Sequence, residues 1–135
     1  GFEFISANVC SEDFERLEHS NCLIIDCFGM LSSIYRYGHV AYIGGGFGVG
    51  IHNILEAAVF DIPVLFGPNN QRFREAQELK KIKGGFEIED SYTFRILMDK
   101  FISDPAFMKK AGYNAGEYVR KNCGTSDQIL CEIGL

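Results

Sequence analysis

Three short stretches, Cys22-Leu23-Ile24-Ile25-Asp26, Val40-Ala41-Tyr42-Ile43 and Pro63-Val64-Leu65-Phe66, are apolar in continuous runs rather than in alternation. A strand that alternates hides one face. A strand apolar on both sides needs cover on both, which a parallel sheet lying between helices supplies. A fourth strand is predicted at Phe86–Ile88 and a fifth, at the edge, over Phe2–Ser6. Helical stretches separate them: Met30–Tyr37 with Gly38 as its C-terminal stop, Ile51–Phe60, and Arg72–Lys83, which ends at Gly84-Gly85. Two longer helices follow, Tyr92–Ile102 and Pro105–Lys121, the second with Asp104 as N-cap and Pro105 at its first position. On it Phe107, Met108, Ala111, Ala115, Tyr118, Val119 and Asn122 share a face, and Lys109-Lys110 and Arg120-Lys121 point away. A last helix is expected from Ser126 to Ile133, capped by Thr125 or Ser126. The order implies βαβ crossovers and an α/β class fold: a Rossmann-like, doubly wound parallel sheet with extra C-terminal helices.

The 135 residues suit one domain, residues 1–135, with no internal repeat. A chain of that size buries about two thirds of its unfolded surface, so neither disulfide nor metal is required for folding. Apolar residues at 47% and charged residues at 23% exclude a disordered chain, and a net charge of −5 argues against a nucleic-acid-binding face. The five cysteines are odd in number and form no C-x-x-C pair, which points to a reducing compartment and away from zinc. No stretch is long and apolar enough to span a membrane, and no signal peptide opens the chain. Gly1-Phe2-Glu3-Phe4-Ile5 lacks a methionine and reads as a strand entered partway, so a piece of a longer protein is expected.

In an open parallel sheet, ligands bind outside the C-terminal ends of the strands. Three unusual loops fall there: Asp26–Leu31, Gly44–Glu56 and Gly67–Gln71. The middle one is the strongest signal, because five of its first seven residues are glycine: Gly44, Gly45, Gly46, Gly48 and Gly50. Glycine there costs backbone entropy but lets main-chain N–H groups approach a ligand closely. No G-K-[ST] or G-x-G-x-x-G register is present, which disfavours a P-loop and a dinucleotide fold. His52, Asn53 and Glu56 are expected in the first turn of the next helix. Asn53 is either a cap or a phosphate ligand. Glu56 is either a favourable first-turn acid or an acceptor for two ribose hydroxyls. His52 alone is uninformative. Gln71, Arg72, Arg74 and Glu75 form either a solvated face or an anion contact.

The run Gly44-Gly45-(…)-Gly50-Ile51-His52-Asn53-Ile54-Leu55-Glu56-Ala57-Ala58 followed by Pro63-Val64-Leu65-Phe66-Gly67-Pro68 resembles the pattern GG-(loop)-GGHNxLEPAA…PVLxGP of the bacterial Kdo (3-deoxy-D-manno-octulosonic acid) transferases. Upstream, Asp26-Cys27-Phe28-Gly29-Met30-Leu31 is similar to that family's D-x-x-G-E-L, with Tyr35 beyond it. The likeness spans about residues 22 to 80, with three motifs in the family's order and spacing. Met30 stands where the family often has Glu, Ile51 replaces the second glycine before His52, and Ala57 replaces proline. These departures leave the loop's backbone role intact and weaken the carry-over of a side-chain contact at position 30.

The resemblance implies the C-terminal, donor-binding half of a GT-B glycosyltransferase. Its substrate is CMP-Kdo, and its acceptor is the lipid A precursor of lipopolysaccharide biosynthesis. The acceptor site and the catalytic base lie on an N-terminal domain absent from this chain. The family works at the cytoplasmic face of the bacterial inner membrane of Gram-negative cells and uses no cofactor or metal. Carried over by position, Gly29 and Met30 lie near the cytidine. Gly44, Gly45, Gly46, Gly48, Gly50, His52 and Asn53 face phosphate and sugar, Glu56 holds the ribose, and Pro68, Asn69 and Arg72 are candidate substrate contacts. The donor-binding piece alone is expected to bind nucleotide without turnover. Two rival readings are a GT-B domain for a UDP-sugar donor and a non-catalytic α/β interaction module.

Overall fold

The computed structural model describes residues 4–6, 21–25 and 29–122. The chain divides into two compact units, Gly1–Leu31 and Ser32–Leu135. In the first, β1 (Phe4–Ser6) and β2 (Cys22–Ile24) pair in parallel, with Phe4 opposite Cys22 and Ser6 opposite Ile24. The edge strand expected from Phe2 is thus seen at Phe4–Ser6, and the run expected to Asp26 is a strand to Ile24. Leu23 and Ile24 are 52% and 50% exposed. Burial on both faces, expected of this run, does not hold here, because among the described residues β1 and β2 form only a two-stranded ribbon with no layer over it. Asp26 to Phe28 and the helix expected at Ser126–Ile133 lie outside the described residues.

A short helix α1 (Leu31–Ile34) runs into a 3-10 turn, Tyr35–Tyr37. Gly38 closes it by donating its N–H to the Tyr35 carbonyl, in an extended conformation (φ −82°) rather than the left-handed one of a typical stop glycine. The second unit continues with β3 (Ala41–Ile43), α2 (Leu55–Ala58), β4 (Val64–Phe66), α3 (Arg74–Lys81), β5 (Gly85–Glu87), α4 (Ser91–Ser103) and α5 (Pro105–Asn122). Its three strands are parallel in the order β3-β4-β5, Ala41 facing Val64 and Val64 facing Gly85. The α/β architecture with a parallel sheet matches the expectation from sequence.

Successive side chains of a strand point to opposite faces, and both faces are covered at β4, whereas in β3 Ala41 and Ile43 are buried and Tyr42 is half exposed, against the two-sided cover expected of that run. Ala41, Ile43, Val64 and Phe66 pack with Ile54, Ala57, Ala58, Ala76 and Leu79, so α2 and α3 lie on that side. Leu65 packs on the other with Ile88 and Phe101, supported by Phe86, Leu97 and Phe107. The rings of Phe86, Phe101 and Phe107 meet at centroid distances of 5.4 to 5.9 Å. Helix α5 joins the two cores, giving Ala115 and Val119 to the first and Ala111 to the second. As expected, Asp104 caps it, accepting from the Phe107 N–H at 3.0 Å, and both basic pairs face outward.

Small residues let α5 come close. A Cβ built on Gly112 would lie 2.8 Å from the Asp61 carbonyl carbon and 3.1 Å from the Ile62 Cα, so helix and turn touch backbone to backbone. Arg120 adds an ion pair to Asp61 at 2.9 Å, with both side chains about half exposed, which makes it a minor contribution. Gly112→Ala should therefore destabilise by about 1–3 kcal/mol, the usual cost of overpacking against rigid neighbours. Gly38→Ala, whose Cβ meets nothing nearer than 3.4 Å, should be nearly silent. Urea midpoints of the two variants check this; equal midpoints would remove the close approach as the cause.

Candidate nucleotide-binding site

The loops after β3 and β4 leave the C-terminal edge of the sheet side by side and are joined directly. The Asn69 N–H donates to the Gly46 carbonyl at 2.8 Å, and the Asn69 side-chain amide donates to the Gly48 carbonyl at 2.6 Å. A Cβ on Gly46 would sit 2.6 Å from the Gly67 nitrogen, and one on Gly67 would sit 2.6 Å from the Gly46 carbonyl carbon. The two main chains are thus in contact where both must be glycine. Gly45 and Gly50 have positive φ (91° and 148°), Gly48 donates its N–H to the Gly45 carbonyl, and Phe47 to Val49 form an exposed tip.

The helix after this loop is shorter than predicted. Instead of Ile51–Phe60 it covers Leu55–Ala58, so His52 and Asn53 precede it and only Glu56 lies in its first turn. His52 donates its N–H back to the Gly44 carbonyl at 3.2 Å, and its ring edge lies over Gly44 and Gly45. Asn53 accepts the Leu55 N–H on Oδ1 at 3.1 Å, the two-residue side-chain turn that Asn forms readily. At the far end, Phe60 and Asp61 bond three residues back and Asp61 takes φ 57°, ending the helix. Four residues carry little macrodipole, so the charge at this helix start is not a resource for holding an anion here. The loop's main chain is.

Asn53 also donates from Nδ2 to Glu56 Oε1 at 3.0 Å. Both side chains are exposed, and a hollow of 190 Å³ opens between residues 51–55 and the pair Phe73 and Glu75. The Phe73 ring underlies Gly50. Tyr35, whose ring sits 6.4 Å from that of Phe60, has its hydroxyl pKa raised, first by burial and then by the negative charge of Glu56. Tyr35 therefore belongs to the surroundings of Glu56, a place the sequence motif hinted at without assigning a role. On the other side of the loop tip, a wider apolar hollow of 390 Å³ is lined by Tyr42, Phe47, Ile88 and Phe94, with Asp90 and Ser91 at its polar end.

Of the residues expected to bind, Gly44, Gly45, Gly46, Gly48, Gly50, His52, Asn53 and Glu56 form one continuous rim, and Pro68 and Asn69 abut it. Asn69 braces the glycine loop through both its amides rather than presenting them outward. Arg72 is exposed in the turn before α3, which begins at Arg74 and not at position 72, because residues 68–73 are held in turns by Asn70 N–H to Pro68 O and Phe73 N–H to Asn70 O. Arg74 is paired with Glu78 at 3.2 Å on an exposed surface. Gly29 (φ 83°) and Met30 are exposed and belong to the first unit, described separately.

Sequence reasoning missed Asn70. It is fully buried, donating to the Gly67 carbonyl and to Glu87 Oε2, both at 2.8 Å, and accepting from Gln77 (2.6 Å) and Lys80 (2.9 Å) on Oδ1. Lys80 closes the network on Glu87 Oε2 at 2.7 Å. A polar residue four positions after a buried strand end, with Gln and Lys seven and ten positions on, is the signal that was available.

No family model matches the chain. A 3-deoxy-D-manno-octulosonic acid transferase of Aquifex aeolicus is 38% identical over 79 residues, 57% of this chain and 22% of that protein. The enzyme of that name from Chlamydia muridarum is 29% identical over 131 residues, 96% of this chain and 30% of its own length. The chain is similar in sequence to proteins named Kdo transferase. It spans less than a third of the length of these curated relatives. The crystal structure of the C-terminal CMP-Kdo binding domain of WaaA from Acinetobacter baumannii matches with a TM-score of 0.69 over 86% of this chain and 60% of that one, at 18% identity. The fold is therefore that of this C-terminal domain of WaaA, in line with the α/β fold that the resemblance in sequence implied. Among the described residues no helix is long and apolar enough to cross a membrane.

The network under the site carries a pH signature. The hydrogen bonds from Lys80 and then Asn70 hold the Glu87 carboxyl below the ordinary carboxylate range. A carboxylate lowered on folding contributes stability that is complete above its unfolded value of about 4.3 and is lost as pH falls through the lowered native value. Glu87→Gln should thus flatten the acid limb of a plot of urea midpoint against pH. An unchanged limb would show that Glu87 is not held this way.

Proposed function

We propose that the chain is the donor-binding part of a glycosyltransferase that moves Kdo from CMP-Kdo to a lipid A precursor at the cytoplasmic face of the inner membrane. The observation that carries this reading is the hydrogen-bonded Asn53–Glu56 pair at the mouth of a glycine loop fixed at the C-terminal edge of a parallel sheet. A carboxylate beside main-chain amides is what a nucleoside monophosphate requires: acceptors for two ribose hydroxyls and donors for the phosphate oxygens.

In the proposed reaction an acceptor hydroxyl forms a bond to the anomeric carbon of Kdo while the bond from that carbon to the phosphate oxygen breaks. CMP leaves with the electron pair, and the hydroxyl proton passes to a base on the part of the enzyme outside this chain. Charge grows on the departing phosphate. Amides held in place by the contact between the Gly46 and Gly67 main chains meet it without reorganising, which favours the transition state over the bound donor. We assign this chain no group that takes the proton, and no cofactor or metal.

Calorimetric titration of the chain with CMP, UMP and UDP tests the donor. CMP should bind more tightly than either uridine nucleotide, and Glu56→Ala should weaken CMP by about tenfold or more, the value of a lost hydrogen bond to a charged group. Clear preference for UMP or UDP would replace CMP-Kdo by a uridine-linked donor. Absence of binding to all three would leave the reading without support.

A further inference from the structure

Asn53 stands in the sequence where a phosphate ligand or a helix cap is expected, and the structure gives it different work. An amide side chain has one accepting and one donating end, and which is which normally rests on its neighbours. The Leu55 N–H can only donate, so the end lying 3.1 Å from it is the oxygen. The NH2 group must then face Glu56, whose Oε1 lies 3.0 Å away. One side chain thus bonds the backbone with its oxygen and the carboxylate with one N–H of its NH2 group.

A carboxylate that holds a vicinal diol must present its two oxygens in one plane to two hydroxyls. An exposed glutamate with several free rotations does so only a fraction of the time, and the affinity falls by that fraction. From the bond geometry we infer that Asn53 is a positioning residue for the ribose: it fixes the plane of the Glu56 carboxylate so that Oε2 and the remaining lone pair of Oε1 face the 2′ and 3′ hydroxyls. This rests on the proposed nucleotide site and adds to it that selection of ribose over deoxyribose needs Asn53 as much as Glu56.

The test compares dissociation constants for CMP and 2′-deoxy-CMP across the 135-residue chain, Glu56→Gln, Asn53→Asp, Asn53→Ser and the Asn53→Asp/Glu56→Gln double variant. Both substitutions at position 53 keep an oxygen for the Leu55 N–H. Aspartate turns the donor into a charge that repels Glu56, and serine is too short to reach it. The unaltered chain should favour CMP by about tenfold, one hydrogen bond to a charged group. Each single variant should lose most of the preference for CMP: CMP weakens at both of its ribose hydroxyls, and the deoxy compound weakens by less because it loses only the bond to its 3′ hydroxyl. The double variant should be no worse than Glu56→Gln, because two residues acting through one interaction are not additive. If the position 53 variants weaken both nucleotides alike and keep the preference, Asn53 touches phosphate itself and the positioning role is wrong. If they keep the preference and lose no affinity, that role is equally wrong, while the nucleotide site stands on Glu56. Equal affinity of the unaltered chain for the two compounds would overturn the ribose assignment of Glu56 and the role of Asn53 with it.

Discussion

The backbone of Gly46 lies against the backbone of Gly67, and the arrangement of the sheet edge follows from that contact. Two loops leaving neighbouring parallel strands diverge unless something holds them, because their side chains need room. Here neither has one, so main chain meets main chain, and Asn69 ties the contact on both its backbone and side-chain amides. The glycine loop is thereby a braced shelf rather than a loose turn. Entropy lost by ordering glycines is offset once, on folding, and need not be met again when a ligand arrives.

Beneath the shelf, the buried Asn70 links the second loop to α3 through Gln77 and Lys80 and to the end of β5 through Glu87. Among the described residues no buried side-chain polar atom lacks a partner, which is the condition under which a buried polar network rigidifies rather than weakens a fold. The loop after β4 is therefore anchored to the sheet on one side and to the glycine loop on the other. Helix α5, crossing from one hydrophobic core to the other, holds the two faces of the sheet together behind it.

Chemistry at the rim divides between main chain and side chain. Amides of the shelf suit an anion of any identity. In the proposed site, discrimination among nucleotides must come from directed groups, and Glu56 with Asn53 is such a pair among the described residues. An architecture of this kind serves many donors by changing a few such residues on an unchanged frame.

Much was legible in the chain itself. Continuous apolar runs specified parallel strands, and β4, with Val64, Leu65 and Phe66 all fully buried, has the cover on both faces that its composition required, whereas Tyr42 of β3 and Leu23 and Ile24 of β2 are about half exposed. Asp104 and Pro105 marked the start of α5, and the glycine cluster with His52, Asn53 and Glu56 marked the rim. Those signals are local: strand pattern, capping and backbone freedom act within a few residues. The early end of α2, the turns that delay α3 to Arg74, and the use of Asn69 and Asn70 as braces were decided only by tertiary structure. The two braces depend on partners about twenty residues away or across the sheet, Gly48 for Asn69 and Glu87 for Asn70. A hydrogen bond between loops has no period in the sequence, so its cause becomes visible only when the strands that carry those loops stand side by side.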